Sequence, residues 1–132
     1  MEREIWRSIR GFEWIYEISN TGIVRSVDRW SYHPENKQAH YLKSKRLKPR
    51  INNCGYVDVR LFKNGKIVTR FIHRLMAEAF IPKLPEKEEI NHIDGVKTNN
   101  SIENLEWVTH QENMAHAYKL GLIKKTSKYT ET

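Results

Sequence analysis

The chain has 132 residues and a mass of 15.8 kDa, room for one domain or for two small modules sharing a core. Lys and Arg number 23 against 16 Asp and Glu, a net charge of +7, and 39% hydrophobic residues give a globular balance. No apolar run approaches the roughly 18 residues of a membrane span, the first residues lack the apolar stretch of a secretory leader, and a lone Cys54 excludes a disulfide framework or cysteine-rich zinc ribbon, so a cytoplasmic protein is expected.

Residues 5–9 predict a short strand, closed by a turn at Arg10-Gly11. Residues 14–18 are aromatic and β-branched, and Ser19-Asn20-Thr21-Gly22 is turn chemistry leading into residues 23–27. A hairpin of Tyr16-Glu17-Ile18 against Ile23-Val24-Arg25 is expected. Residues 28–42 hold no clear period and read as a loop. From Asn36 to Val57 there is no acid, whereas Lys37, Lys43, Lys45, Arg46, Lys48 and Arg50 supply six bases. Such a stretch is either a solvated loop or a polyanion contact. Interleaved aromatics (Trp30, Tyr32, Tyr41, Tyr56) and amides (Gln38, Asn52, Asn53) favour nucleic acid. A membrane surface is disfavoured, because no basic helix with an apolar face can be drawn here. Residues 1–72 carry 15 bases against 7 acids, and residues 73–132 carry 8 against 9, so the basic surface belongs to the first half.

Residues 56–62 alternate as a strand, Asn64-Gly65 is a strong two-residue turn signal, and residues 67–72 return. At 73–80 the period changes: Leu75, Met76, Ala79 and Phe80 share one helical face, and Pro82 ends the helix. Residues 90–93 predict a very short strand before the Asp94-Gly95 turn. A polar loop follows at 96–104, with one helical turn begun at Ser101. Residues 105–108 predict another strand. Thr109-His110-Gln111-Glu112 is a capping box that opens a helix, and Gly121 stands where it stops. Residues beyond about 124 read as a flexible tail.

Five of the ten asparagines lie between positions 91 and 113. Asn99 and Asn100 are accounted for as ordinary turn residues. Asn91 beside His92 on a strand, and Asn113 inside a helix where Asn has poor propensity, are not. A strand, a polar loop, a strand and a capped helix, folded back, point His92, Asn104 and Asn113 at one spot. His73 reads as mainly structural near that spot, His110 as solvent-facing, and Trp107 as a core anchor. His116 shares the helical face of Asn113, within reach of a phosphate or a metal-bound water.

The segment His73-Arg74-Leu75, Asn91-His92-Ile93-Asp94-Gly95, Asn99-Asn100, Glu103-Asn104-Leu105-Glu106-Trp107-Val108-Thr109 and Glu112-Asn113-Met114 resembles an HNH endonuclease of the phage and intron homing type. The front end, from Trp6 through Gly11-Phe12-Glu13, Tyr16, Ile18-Ser19-Asn20 and Gly22 to Ser26, resembles the DNA-binding motif that commonly precedes that module. The resemblance implies an α+β protein: a β-rich DNA-binding region at 1–72, a ββα-metal nuclease module at 73–125 and a tail at 126–132. It implies His92 as the catalytic histidine, Asn104 as the residue that ties the loop and orients it, and Asn91 and Asn113 as ligands of Mg²⁺ or another divalent cation such as Mn²⁺. The family usually places Asp or His at position 91. An amide carbonyl can bind a hard cation, but it brings no charge.

The expected partner is double-stranded DNA, held on phosphates by Lys43, Lys45, Arg46, Lys48, Arg50, Arg60 and Arg70 and nicked on one strand by a monomer. The expected setting is the cytoplasm of a phage-infected or prophage-bearing bacterial cell. An imidazole, with an ordinary pKa of about 6.5, can take a proton from water near neutral pH. Two rivals remain at this point: an HNH-derived DNA-binding protein whose catalysis has decayed, and an RNA-binding or ribosome-associated factor.

Overall fold

Turn chemistry shapes the first half of the chain. In the computed structural model, which describes residues 3–121, β1 (Trp6–Ser8), β2 (Tyr16–Ser19) and β3 (Val24–Ser26) form an antiparallel sheet. The Ser19 hydroxyl accepts the backbone N–H groups of Thr21 and Ile23, and Gly22 takes the left-handed conformation at φ 88°. Asn20 Oδ1 accepts the Ile5 N–H at 2.9 Å, which ties the chain entering β1 onto this turn. The expected hairpin forms with a register one residue longer, so that Ile18 faces Val24 and both are buried.

Residues 28–42 are not a loop. They form a second hairpin, β4 (Arg29–His33) and β5 (Gln38–Leu42), with Trp30 opposite Tyr41 and their rings 5.3 Å apart, edge to face. Neither strand is buried on either face, so no apolar alternation exists for a periodicity argument to find. What holds it is cross-strand pairing of exposed aromatics.

A third sheet comprises β6 (Arg50–Ile51), β7 (Val57–Lys63) and β8 (Lys66–Phe71). The turn between β7 and β8 has positive φ at both Asn64 (53°) and Gly65 (74°), the twist-matched two-residue connection the sequence signals. β8 runs straight into α1 (Ile72–Phe80), which begins one residue earlier than its periodicity suggests. Ile72, Leu75, Met76 and Ala77 are buried, whereas no side chain caps the first turn, so packing rather than capping holds this helix.

α1 lies at the centre. Ile18 and Val24 from the first sheet, Val59 and Leu61 from the third, Met76 of α1 and Leu105 belong to one apolar cluster. Residues on both sides of position 72 therefore build the same core. The Tyr16 hydroxyl accepts the Phe62 N–H at 3.0 Å and fastens the first sheet to the third.

The remaining elements are β9 (Glu89–His92), a 3-10 turn (Ile102–Asn104), β10 (Leu105–Val108) and α2 (His110–Leu120). The Trp107 indole N–H donates to the Ile81 carbonyl at 3.0 Å and pins the exit of α1 to β10. α2 carries the full capping box, Thr109 and Glu112 each accepting from the other's backbone, and ends on Gly121 at φ 74°. The expected tail beyond 124 lies outside the described residues. No described helix is long and apolar enough to cross a membrane.

Candidate active site

β9 and β10 pair antiparallel, with His92 opposite Leu105, Asn91 opposite Glu106 and Glu89 opposite Val108. Strand alternation puts Glu89, Asn91 and Glu106 on one face and Ile90 and His92 on the other. The strand ends at His92, where the chain turns. There Gly95 N–H donates to the His92 carbonyl at 2.9 Å, and Gly95 itself sits at φ 76°.

Asn104 is the tie of this loop. Buried at the end of the 3-10 turn, it accepts the Asp94 N–H at 2.9 Å and donates its amide to Asp94 Oδ1 at 2.9 Å and to the Asn99 carbonyl at 2.8 Å. Asn99 in turn donates to Asp94 Oδ2. These donors, Asn99 first, then the Val96 N–H and Asn104, hold the Asp94 carboxyl below its usual range. The bonds of the Asn104 side chain go to the loop and not to the imidazole. Asn104 ties the loop, as expected of it, and is linked to His92 only through the turn.

The imidazole's own partner is Asn100. Its Oδ1 lies 2.8 Å from His92 Nε2, and a carbonyl oxygen only accepts, so Nε2 carries the proton and Nδ1 is left as the basic nitrogen. Sequence reasoning assigned Asn100 to turn chemistry and missed it. His92 is 6% exposed, and its ring lies 5.0 Å from that of His73, with Tyr56 alongside both. Burial first, then the neighbouring His92 and Arg74, push His73 down to about 4, so this second imidazole is neutral near pH 7.

A cavity of about 240 Å³ opens here, lined by Tyr56, Asn91, His92, Lys97, Asn113 and Met114 among others. Of the three residues expected at one spot, His92 and Asn113 line it, joined by Asn91, whereas Asn104 does not. Lys97, unflagged by sequence, adds an ammonium held by the Cys54 carbonyl at 2.8 Å and seated over the Tyr56 ring. Asn91 donates its amide to Glu106 Oε2 at 2.8 Å, and Asn113 donates its amide to Glu89 Oε1 at 2.9 Å. Among the described residues no donor reaches either carbonyl oxygen, so each remains available as a hard oxygen ligand. Two such oxygens on one cavity are of the hard type that a divalent cation such as Mg²⁺ accepts but bring it no charge, and no three His, Cys, Asp or Glu side chains cluster among the described residues. His116 is committed elsewhere, its Nε2 donating to the Ile93 carbonyl at 2.7 Å, and the exposed His110 pairs with Glu89 at 2.8 Å.

The basic residues are dispersed. Lys43, Lys45 and Lys48 are exposed, while Arg46 lies 3.8 Å from Glu4. Arg50 is spent on Asp58, at 3.1 Å from a carboxylate that is 2% exposed. Arg60 faces Thr69 across the β7–β8 ribbon, whereas Arg70 faces Val59, so the two arginines project from opposite faces.

The sequence matches the HNH endonuclease family over residues 70–115 and the NUMOD4 motif over residues 4–62. It is 36% identical over 118 residues to the DNA endonuclease I-HmuI of Bacillus phage SP01, covering 89% of this chain and 60% of that protein. It is 38% identical over 130 residues to an uncharacterised HNH endonuclease of Acanthamoeba polyphaga mimivirus, covering 95% of this chain and 29% of that protein. The fold superposes on a solved chain of the HNH homing endonuclease I-HmuI, from a study of its DNA binding and cleavage, with TM-score 0.71 and 35% identity over 97% of this chain and 63% of that one. The chain thus spans less than two thirds of the length of these relatives. Motif, domain and fold agree: the chain carries a NUMOD4 motif followed by an HNH endonuclease domain and is homologous to the phage endonuclease I-HmuI.

Proposed function

We propose that the protein is a divalent-metal-dependent DNA endonuclease that hydrolyses one phosphodiester bond of a duplex, nicking a preferred site as a monomer in the cytoplasm. The observation that carries this reading is one cavity bordered by a tautomer-fixed imidazole, two amide oxygens and an ammonium. In this reading His92 Nδ1 takes the proton of the attacking water, a contribution of about 10²–10⁴ in rate. Asn100 holds Nε2 and keeps the imidazole in the tautomer that can accept. Asn91 and Asn113 would hold the cation, Mg²⁺ or Mn²⁺, which when bound supplies charge relief on the phosphate and the departing 3′ oxygen. Lys97 sits where a phosphate oxygen enters.

Double-stranded DNA is the partner this reading requires, with the exposed Lys43, Lys45 and Lys48 as phosphate contacts that set position rather than sequence. One cavity of this kind among the described residues suits one cut strand. The test is incubation of the protein with supercoiled plasmids carrying a library of inserts, in Mg²⁺ or Mn²⁺, with and without EDTA. Open circles that form only without chelator are expected. Tight duplex binding with no open circles in any metal would identify a protein that has lost catalysis. Preferential displacement by structured RNA would move the substrate class.

A further inference from the structure

Resting on that reading of the cavity, we propose that Glu106 is the carboxylate of the cation site, acting through Asn91 as a positioning and charge-supplying residue. Asn91 and Asn113 offer a hard cation two oxygens and no charge, a poor donor set alone for an ion that favours carboxylates. The β9–β10 register supplies what is missing. It places Glu106 directly across from Asn91, and Glu106 Oε2 accepts the Asn91 amide at 2.8 Å. A carboxylate only accepts, so the amide NH₂ must face Glu106 and the Asn91 carbonyl oxygen must face away from it. The hydrogen bond therefore fixes the flip of Asn91, and the anion polarises its amide, raising the basicity of the oxygen left over.

Glu89 treats Asn113 in the same way at 2.9 Å, but it also binds His110 and so shares its charge with a titratable cation. Glu106 is half-buried, and among the described residues no Lys, Arg or His pairs with it. Its charge is therefore not neutralised by a protein cation and is left for an ion at the cavity. The Asn91–Glu106 pair is then a split ligand, oxygen on one strand and charge on the other.

The experiment is Mn²⁺ binding to the full chain without DNA, read by electron paramagnetic resonance, with thermal melting as the check on folding. Glu106→Gln keeps the shape and the acceptor but removes the charge, and it is expected to raise the Mn²⁺ Kd by about 10–100-fold, as loss of such supporting groups does at metal sites. Asn91→Asp combined with Glu106→Gln exchanges the two roles while keeping the hydrogen bond, and is expected to bind within about threefold of wild type, because net charge and pairing are both restored. Asn91→Asp alone sets two carboxylates against each other; its melting temperature is expected to fall without metal and to recover with Mn²⁺. If Glu106→Gln binds Mn²⁺ as wild type does while Asn113→Ala does not, Glu106 plays no part and the cavity reading stands. If wild type binds no Mn²⁺, or if Asn91→Ala and Asn113→Ala both bind normally, the cavity is not the cation site and the proposal falls with it. Should Glu106→Gln fail to fold, the exchanged pair decides: folded without restored binding, it overturns the proposal.

Discussion

Asn100 decides which nitrogen of His92 can act as a base. Its oxygen takes the Nε2 proton, so removing it frees the ring to adopt either tautomer and to swing. Asn100→Ala should lower the cleavage rate about five- to tenfold at unchanged DNA affinity, the kinetic equivalent of one hydrogen bond of about 1–1.5 kcal/mol. Asn100→Asp keeps an acceptor and adds negative charge, which favours the imidazolium. The pH below which the rate declines should therefore move upward. Rate–pH profiles of the two variants check both statements, and overlapping profiles would remove Asn100 from the site. The sequence marks out His92, Asn91 and Asn113, which line one cavity, because their spacing resembles a known module. It could not name Asn100, because an Asn in a polar loop looks like turn chemistry until the loop closes onto a residue eight positions earlier.

His73 contributes to the pH dependence of the fold at the same scale. Its imidazole titrates near 6.5 in the unfolded chain and at about 4 when packed against His92, Tyr56 and Phe71. Below pH 6.5 the unfolded state binds the extra proton, so stability is full above that value and is lost progressively as pH falls toward 4. The loss is up to about 3 kcal/mol, less whatever solvent screens. Denaturant unfolding at pH 7 and pH 4.5 should show a smaller difference for His73→Phe than for wild type. An equal difference in both proteins would place the titration elsewhere.

Among the elements, the segment between β5 and β6 carries most of the expectation of phosphate contact. Lys43, Lys45 and Lys48 have no carboxylate partner among the described residues, and Arg46 has only the loose contact to Glu4. Replacing all four with Ala should flatten the salt dependence of DNA binding by about 0.9 for each residue that touches phosphate. An unchanged slope would make this stretch solvated surface. Arg50 behaves differently, since its guanidinium compensates the buried Asp58. Arg50→Ala should cost about 2–3 kcal/mol of stability, by leaving a buried carboxylate unpaired, and should barely alter the salt slope. The spacing of bases along the chain gave no sign of this division, because the cross-strand partner of Arg50 lies eight residues away. Hairpins with a buried face, and the capped helix, were legible from alternation and turn residues. The hairpin at 29–42 was not, since strands solvated on both faces carry no such pattern.

In the whole molecule α1 joins the two matched regions, its buried face shared by sheets that precede it and by β10 that follows. The cavity sits just beyond its start, where His73 meets His92, so the surface proposed to hold the duplex and the atoms proposed to cut it are fixed to one core. Binding and chemistry should nonetheless separate at a single side chain, His92. The measurement is duplex affinity and single-turnover cleavage of His92→Ala beside wild type, on the same substrate in saturating Mg²⁺ or Mn²⁺. Affinity should stay within about twofold while cleavage falls by at least about 10², because the imidazole acts on water and not on the duplex. Cleavage by His92→Ala at the wild-type rate would contradict the account.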